Sequence, residues 1–216
     1  MQSEKRDFVI IWVDGSDPNW RNEKNKYAPE EETDDREIRY RDYDNLKYWF
    51  RGVEKFASWV NKIYFVTCGQ KPIWLNENNP KLVLVDHKDF IPSKYLPTFS
   101  SHPIELNMHR IKGLSEKFVY FNDDMYIIRK VKETDFFRNG LPCDSAVINA
   151  HPSIKNTFHI SETNMEIIND HFHKKDVLRK HPFQWFRFKY GIKLFRTLCL
   201  LPWPEFIGIW DHHLAT

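Results

Sequence analysis

Four short apolar runs set the strongest limit on what this chain can fold into. Residues 8–13 (FVIIWV), 62–67 (KIYFVT), 82–85 (LVLV) and 118–121 (FVYF) are rich in β-branched and aromatic side chains, as buried parallel strands are. Each stops in polar turn chemistry. The first ends in Asp14-Gly15-Ser16-Asp17, the second in Thr67 to Gln70 through Gly69, the third in Asp86-His87, the fourth in Asn122-Asp123-Asp124. Helical patterns lie between them. The alternation predicts a Rossmann-like (GT-A-like) α/β fold, a mixed sheet flanked by helices, with one functional edge beyond the strand ends.

The helical patterns are specific. Over residues 42–60, Leu46, Trp49, Phe50, Val53, Phe56, Ala57 and Val60 share one face, with Asp42 or Asp44 as the expected N-cap. Residues 73–80 read as a short helix and turn. Residues 103–112 read as a helix capped by Ser101 or His102 and ended by Gly113. On it Ile104, Met108 and Ile111 form an apolar stripe, and Glu105, His109 and Lys112 a polar one at the same spacing, facing either solvent or a site. The polar run over 27–41 reads as a surface loop, lid-like in length. Residues 146–149 read as a further strand.

From residue 151 the pattern changes. Residues 174–196 carry eight Lys/Arg against one acid, interleaved with aromatic rings. The expectation is a helical C-terminal accessory lobe over 151–216 beside an α/β domain over 1–150. Its basic-aromatic mix suits an anionic glycan, a membrane-surface acceptor, or plain helices with long cationic side chains lying along them. His171, His173 and His181 lack cysteines nearby and do not read as a zinc set. The net charge of +2 argues against bulk nucleic-acid binding. Three scattered cysteines suit a reducing compartment, and no window approaches the ~20 apolar residues of a membrane span. The expected location is cytoplasmic, with peripheral contact at the inner face of the membrane.

Asp123 and Asp124 are adjacent carboxylates at the end of a buried strand. They suit either a solvated turn or a divalent cation with oxygen ligands. Asp14 and Asp17 suit either a ligand contact or a helix cap. No P-loop or GxGxxG occurs, so a bound phosphate would rely on metal and basic side chains. A nucleotide-diphosphate sugar is the natural ligand of such an edge.

Three segments, WVDGSDP (12–18), RDYDNLKYWFRGVEKFASWVNKIYFVTCGQKPIWL (41–75) and LPTFSSHPIELNMHRIKGLSEKFVYFNDDMYI (96–127), resemble the first two conserved blocks of the Stealth proteins. These are bacterial capsular or exopolysaccharide phosphotransferases related to the N-acetylglucosamine-1-phosphotransferase of lysosomal enzyme tagging. The resemblance spans residues 8–130. It implies transfer of a hexose 1-phosphate from a UDP-sugar to a glycan hydroxyl, lipid-linked or free, with Mg2+ or Mn2+ and release of UMP. It assigns Asp14, Gly15 and Asp17 to the donor. It matches Arg41, Asp42 and Asp44 to RDxDxL, and Thr67, Gly69 and Gln70 to TxGQ near the nucleotide. Glu105, His109 and Arg110 match IExxxHRI, and Asn122, Asp123 and Asp124 match NDD, with the two aspartates as metal ligands. The segment 206–216 (FIGIWDHHLAT) resembles the start of the third block, with His213, or else His212, at its functional histidine. The family's fourth block, with its arginine, has no counterpart here, which implies a truncated lobe. Two further readings stay open: a GT-A glycosyltransferase releasing UDP, and a non-catalytic nucleotide-sugar-binding fragment.

Overall fold

In the computed structural model the described residues are 5–27, 43–149 and 158–208. The expected lid loop over 27–41 (Tyr27 apart), Arg41, Asp42 and His213 lie outside them. The chain divides into two compact units, 1–142 and 143–216.

The first unit is built on four parallel strands, β1 (Asp7–Ile11), β2 (Ile63–Thr67), β3 (Leu82–Asp86) and β4 (Phe118–Phe121), in the order β3-β2-β1-β4. Strand residues alternate faces, so each face has its own core. Phe8, Ile10, Phe65, Val119 and Phe121 face helix α2 (Leu46–Phe56), meeting Leu46, Trp49 and Val53. Val9, Tyr64, Val66 and Val85 face the other way, onto Ile104 of helix α3 (Ser101–Asn107) and onto Met108 and Ile111 just beyond it. The result is a three-layer α/β/α sandwich. Helix α1 (Pro18–Tyr27) follows β1, and α4 (Glu133–Phe136) precedes a separate antiparallel pair, β5 (Phe137–Arg138) and β6 (Leu141–Pro142).

The helix over 42–60 is shorter than its apolar pattern. Its N-cap is Asn45, not Asp42 or Asp44. Asp44 has a positive φ of 48°, and its carboxylate accepts from Lys47 Nζ and, at 3.2 Å, from Trp74 Nε1. Residues 73–80 form turns rather than a helix, because Asn76 and Asn79 side chains capture backbone amides two residues on. Residues 146–149 run extended with a single bridge residue, Ile148, and belong to the second unit.

Two close approaches hold the sheet in place. At the amino edge Asp7 is fully buried. Its Oδ1 accepts from Asn61 Nδ2 (2.7 Å) and Lys62 N (3.1 Å), and its Oδ2 from Ser115 N (2.8 Å). On α2, a Cβ added at Gly52 would stand 2.7 Å from Ile127 O, so the helix lies directly against the chain leaving β4. Gly52→Ala is therefore expected to cost about 1–3 kcal/mol by overpacking, read from urea midpoints. Glu54→Ala, exposed on the same helix, should stay within about 0.5 kcal/mol; equal effects would show that the approach at Gly52 relaxes freely.

The second unit contains α5 (Phe158–His171), α6 (Lys174–Lys180), α7 (Pro182–Trp185) and α8 (Ile192–Cys199). Its core joins Ile148, Leu178, Trp185 and Phe206, with the last two rings stacked at 5.8 Å. The Asn169 amide pins Phe206 twice, donating to its carbonyl at 2.8 Å and accepting from its N–H at 2.9 Å. Buried Lys174 donates to Leu200 O (2.6 Å) and Trp203 O (2.8 Å), supplying a cation at the C-terminus of α8.

Candidate functional site

The strand order places the first crossover reversal between β1 and β4. In open α/β sheets that point opens a crevice beyond the carboxyl ends of the strands. Two adjoining hollows occupy this edge. The smaller, about 330 Å3, lies at the reversal, between Ile11-Trp12-Val13 after β1 and Asn122-Asp123-Asp124 after β4. The larger, about 520 Å3, lies beyond β2 and β3, against Cys68, Gln70, Asp86, His87 and Lys88. They share the wall Trp20, His87, Thr98 and Phe99. Both volumes fall in the range of small-molecule sites.

The loop after β1 starts with Trp12 stacked on Phe65 at 5.9 Å and continues through polar contacts. Asp14 Oδ1 accepts from Ser16 N at 2.9 Å, and Arg21 Nε donates to Gly15 O at 2.7 Å. Asp17 Oδ1 accepts from Asn19 N at 2.8 Å, capping α1. Gln70 crosses from β2 to stitch this loop. Its Oε1 accepts from Asp14 N (2.8 Å), and its Nε2 donates to Asp14 O (3.2 Å) and Asp17 Oδ2 (2.9 Å). Both amide hydrogens are thus engaged, so Gln70 shapes the larger hollow rather than offering it a donor. The Gln70 amide, then the Asn19 N–H, hold the Asp17 carboxyl below its ordinary value. Thr67 Oγ1 accepts from Gly69 N at 3.2 Å, and Gly69 takes φ +89° with room for no more than a tight Cβ, 3.2 Å from Asp86 Oδ2.

After β3, Asp86 and Asp89 form a reciprocal capping box around the turn His87–Asp89. This fixes His87 as a buried wall of both hollows. Burial lowers its pKa, against an upward pull from Asp86. A histidine lowered on folding binds fewer protons folded than unfolded. Its contribution to stability is full above about pH 6.5 and is lost as pH falls from there through the lowered value. Urea unfolding at pH 7.5 and pH 5 should show a smaller acid loss for His87→Gln than for the parent; equal losses would mean that His87 protonates freely in the fold.

Tyr120 points from β4 to the α3 side. Its hydroxyl lies 3.1 Å from Glu105 Oε1 and 2.5 Å from Asn122 Oδ1. One hydroxyl proton serves one acceptor, so the trio is satisfied when Tyr120 donates to Glu105 and the Asn122 amide presents its NH2 to the phenol oxygen. Burial first, then Glu105, raises the Tyr120 pKa far above its ordinary value, so the group stays a neutral donor. Asn122 is thereby oriented at the mouth of the smaller hollow, beside the exposed Asp123 and Asp124.

The edge therefore brings together Asp17, Gln70, Asn122, Asp123 and Asp124 as lining, with Asp14, Gly15, Thr67 and Gly69 shaping its loops. It does not bring Asp44, His109 or Arg110 into either hollow. The α-helical stripe through Glu105 breaks because α3 tightens into a 3-10 turn at Met108–Arg110, leaving His109 and Arg110 exposed. Trp20, Phe99, Tyr120 and His87 were not singled out by sequence as site residues. Only His87 carried a signal, at the end of a strand. Trp20 and Phe99 meet edge to face at 5.6 Å, far apart in sequence.

Asp123 and Asp124 offer two carboxylates at one mouth. Among the described residues no group of three or more His, Cys, Asp or Glu forms a closed metal cage. Two carboxylates with open positions fit a magnesium-type cation completed by water and substrate phosphates.

Family models match on both sides of this edge: Stealth protein conserved region 1 over residues 7–32 and conserved region 2 over residues 39–144. The exopolysaccharide phosphotransferase cps2G of Lactiplantibacillus plantarum is 47% identical over 209 residues, covering 96% of this chain and 62% of that protein. The capsular polysaccharide phosphotransferase WcwK of Streptococcus pneumoniae is 45% identical over 215 residues, covering 98% and 64%. The capsular polysaccharide phosphotransferase CpsJ of Streptococcus thermophilus is 49% identical over 189 residues, covering 86% and 79%. The chain thus spans under two thirds of the length of the first two relatives.

Proposed function

This chain belongs to the Stealth protein family, and on that premise we propose that it is a sugar-1-phosphate transferase of capsular or exopolysaccharide synthesis. The donor is a UDP-linked hexose bound along the two hollows, and the acceptor is a glycan hydroxyl. The observation that carries the reading is the reversal point itself, where a carboxylate pair adjoins an aromatic-walled hollow of nucleotide-sugar size.

In the reaction the acceptor oxygen attacks the phosphorus next to the sugar. The bond from that phosphorus to the bridging oxygen breaks, UMP leaves with the electron pair, and the acceptor proton passes to a base. The product is a phosphodiester. In phosphoryl transfer the protein chiefly positions groups and offsets charge. Asp123 and Asp124 would hold the cation, Mg2+ or Mn2+, which when bound offsets charge on the pyrophosphate. Asn122, oriented by Tyr120 and Glu105, positions the reacting end. Trp20 and Phe99 offer rings to the donor, and Asp14, Asp17, Thr67, Gly69 and Gln70 keep the loops that wall it. His213 would accept the proton and Arg41 would offset remaining charge, whereas His109 and Arg110 lie outside both hollows and take no part.

Calorimetry should show UDP-sugar binding that requires a divalent cation. Absence of binding would sink the donor assignment. Phosphorus NMR of the transfer product should find one phosphate retained as a diester, with UMP released. UDP release with a phosphate-free glycan would instead make the protein a glycosyltransferase on the same edge.

A further inference from the structure

Helix α8 turns the usual arrangement inside out. A surface helix hides its apolar stripe and shows its polar one. Here the fully buried residue is Thr197, whose Oγ1 accepts from Ile148 N at 3.1 Å and donates to Lys193 O at 3.2 Å. Ile192, Phe195 and Leu198 share the opposite side and are 73%, 64% and 45% exposed. Just before them, Phe183 of α7 is 90% exposed and Phe188, in the turn Phe188–Tyr190, is 95% exposed. The Tyr190 hydroxyl ties that turn to α7 by donating to Gln184 O at 3.1 Å. Single exposed apolar residues need no explanation. Five in one short stretch, on consecutive elements, do.

The same stretch is strongly cationic. Of the eight Lys/Arg in residues 174–196, Lys174 is buried and hydrogen-bonded, whereas Lys175, Arg179, Lys180, Arg187, Lys189 and Arg196 are exposed. A nucleic acid would engage the cations and leave the phenylalanines in water. A second copy would cover the phenylalanines but set like charges against each other. An anionic bilayer uses both, taking apolar side chains to the headgroup boundary and matching cations to phosphates. No helix among the described residues is long and apolar enough to cross a membrane, so the contact is interfacial.

We propose that this basic and aromatic stretch of the helical unit, residues 183–198, docks on an anionic phospholipid surface. The proposal stands on the second unit alone and does not depend on the phosphotransferase reading. Full chain should co-sediment with phosphatidylglycerol-containing vesicles and not with pure phosphatidylcholine at about 0.1 M salt, and should be released at about 1 M salt, where screening is short-ranged. Arg187→Gln and Lys189→Gln should each weaken partitioning about fivefold. Phe188→Ser and Phe195→Ser should each weaken it about tenfold or more, with melting unchanged because both rings are exposed. Failure to sediment, or equal sedimentation with both vesicle types, would overturn the proposal. So would sedimentation equilibrium showing a dimer that Phe195→Ser dissolves while vesicle binding is absent.

Discussion

Asp124→Asn, and separately Asp123→Asn, is expected to lower phosphotransfer by about a thousandfold or more, some 4 kcal/mol of transition-state stabilisation. Both side chains are exposed and line the smaller hollow, so neither supports the core. In the proposed mechanism their value is charge: an amide keeps the shape but would coordinate a hard cation far less well. Circular dichroism and melting should be unchanged, and Mn2+ affinity measured by electron paramagnetic resonance should fall together with turnover. Full activity in either variant, or in excess chelator, would remove the metal from the account.

The second large effect lies at the other end of the same strands. Asp7→Ala should destabilise the α/β unit by about 4 kcal/mol or more, since hydrogen bonds to a charged group contribute about 1.5–3 kcal/mol each. Three donors converge on that buried carboxylate, and its removal strands Asn61 Nδ2, Lys62 N and Ser115 N together. Against the 5–15 kcal/mol of a typical domain this is severe. Asp7→Asn keeps one acceptor and should fall between. The check is urea unfolding followed by tryptophan fluorescence. A cost under about 1 kcal/mol for Asp7→Ala would show that water replaces the carboxylate.

The strands and the polar turns at their carboxyl ends were legible because burial on both faces writes itself as unbroken apolar runs, and each run ends where the backbone leaves the sheet. The carboxylates after β4 and the loop after β1 were found this way. Legibility failed where local competition decides. Asn76 and Asn79 divert a helical pattern into turns, and Lys47 and Trp74 draw Asp44 away from the helix start. It failed again where contacts are remote in sequence. Nothing in a linear reading joins Tyr120 to Glu105, or Trp20 to Phe99, because those pairs exist only once β4 and α1 are set beside the α3 layer. Periodicity also overstated the polar stripe of α3, since a 3-10 turn rotates His109 away from the register that an α-helix would give it.

The strands of this sheet carry their polar investments at opposite ends: the buried carboxylate of Asp7 below, the hollows above. For anyone retargeting the protein, that separation marks where diversity is tolerated. A library that randomises the upper loops at Lys88, Thr98 and Phe99 leaves every hydrogen bond to Asp7 untouched, whereas Asp17 caps α1 and holds Gln70 and is best kept. Gly52 and Gly69 are the positions to keep fixed, since a side chain at Gly52 would meet Ile127 O at 2.7 Å and one at Gly69 would be strained at φ +89°.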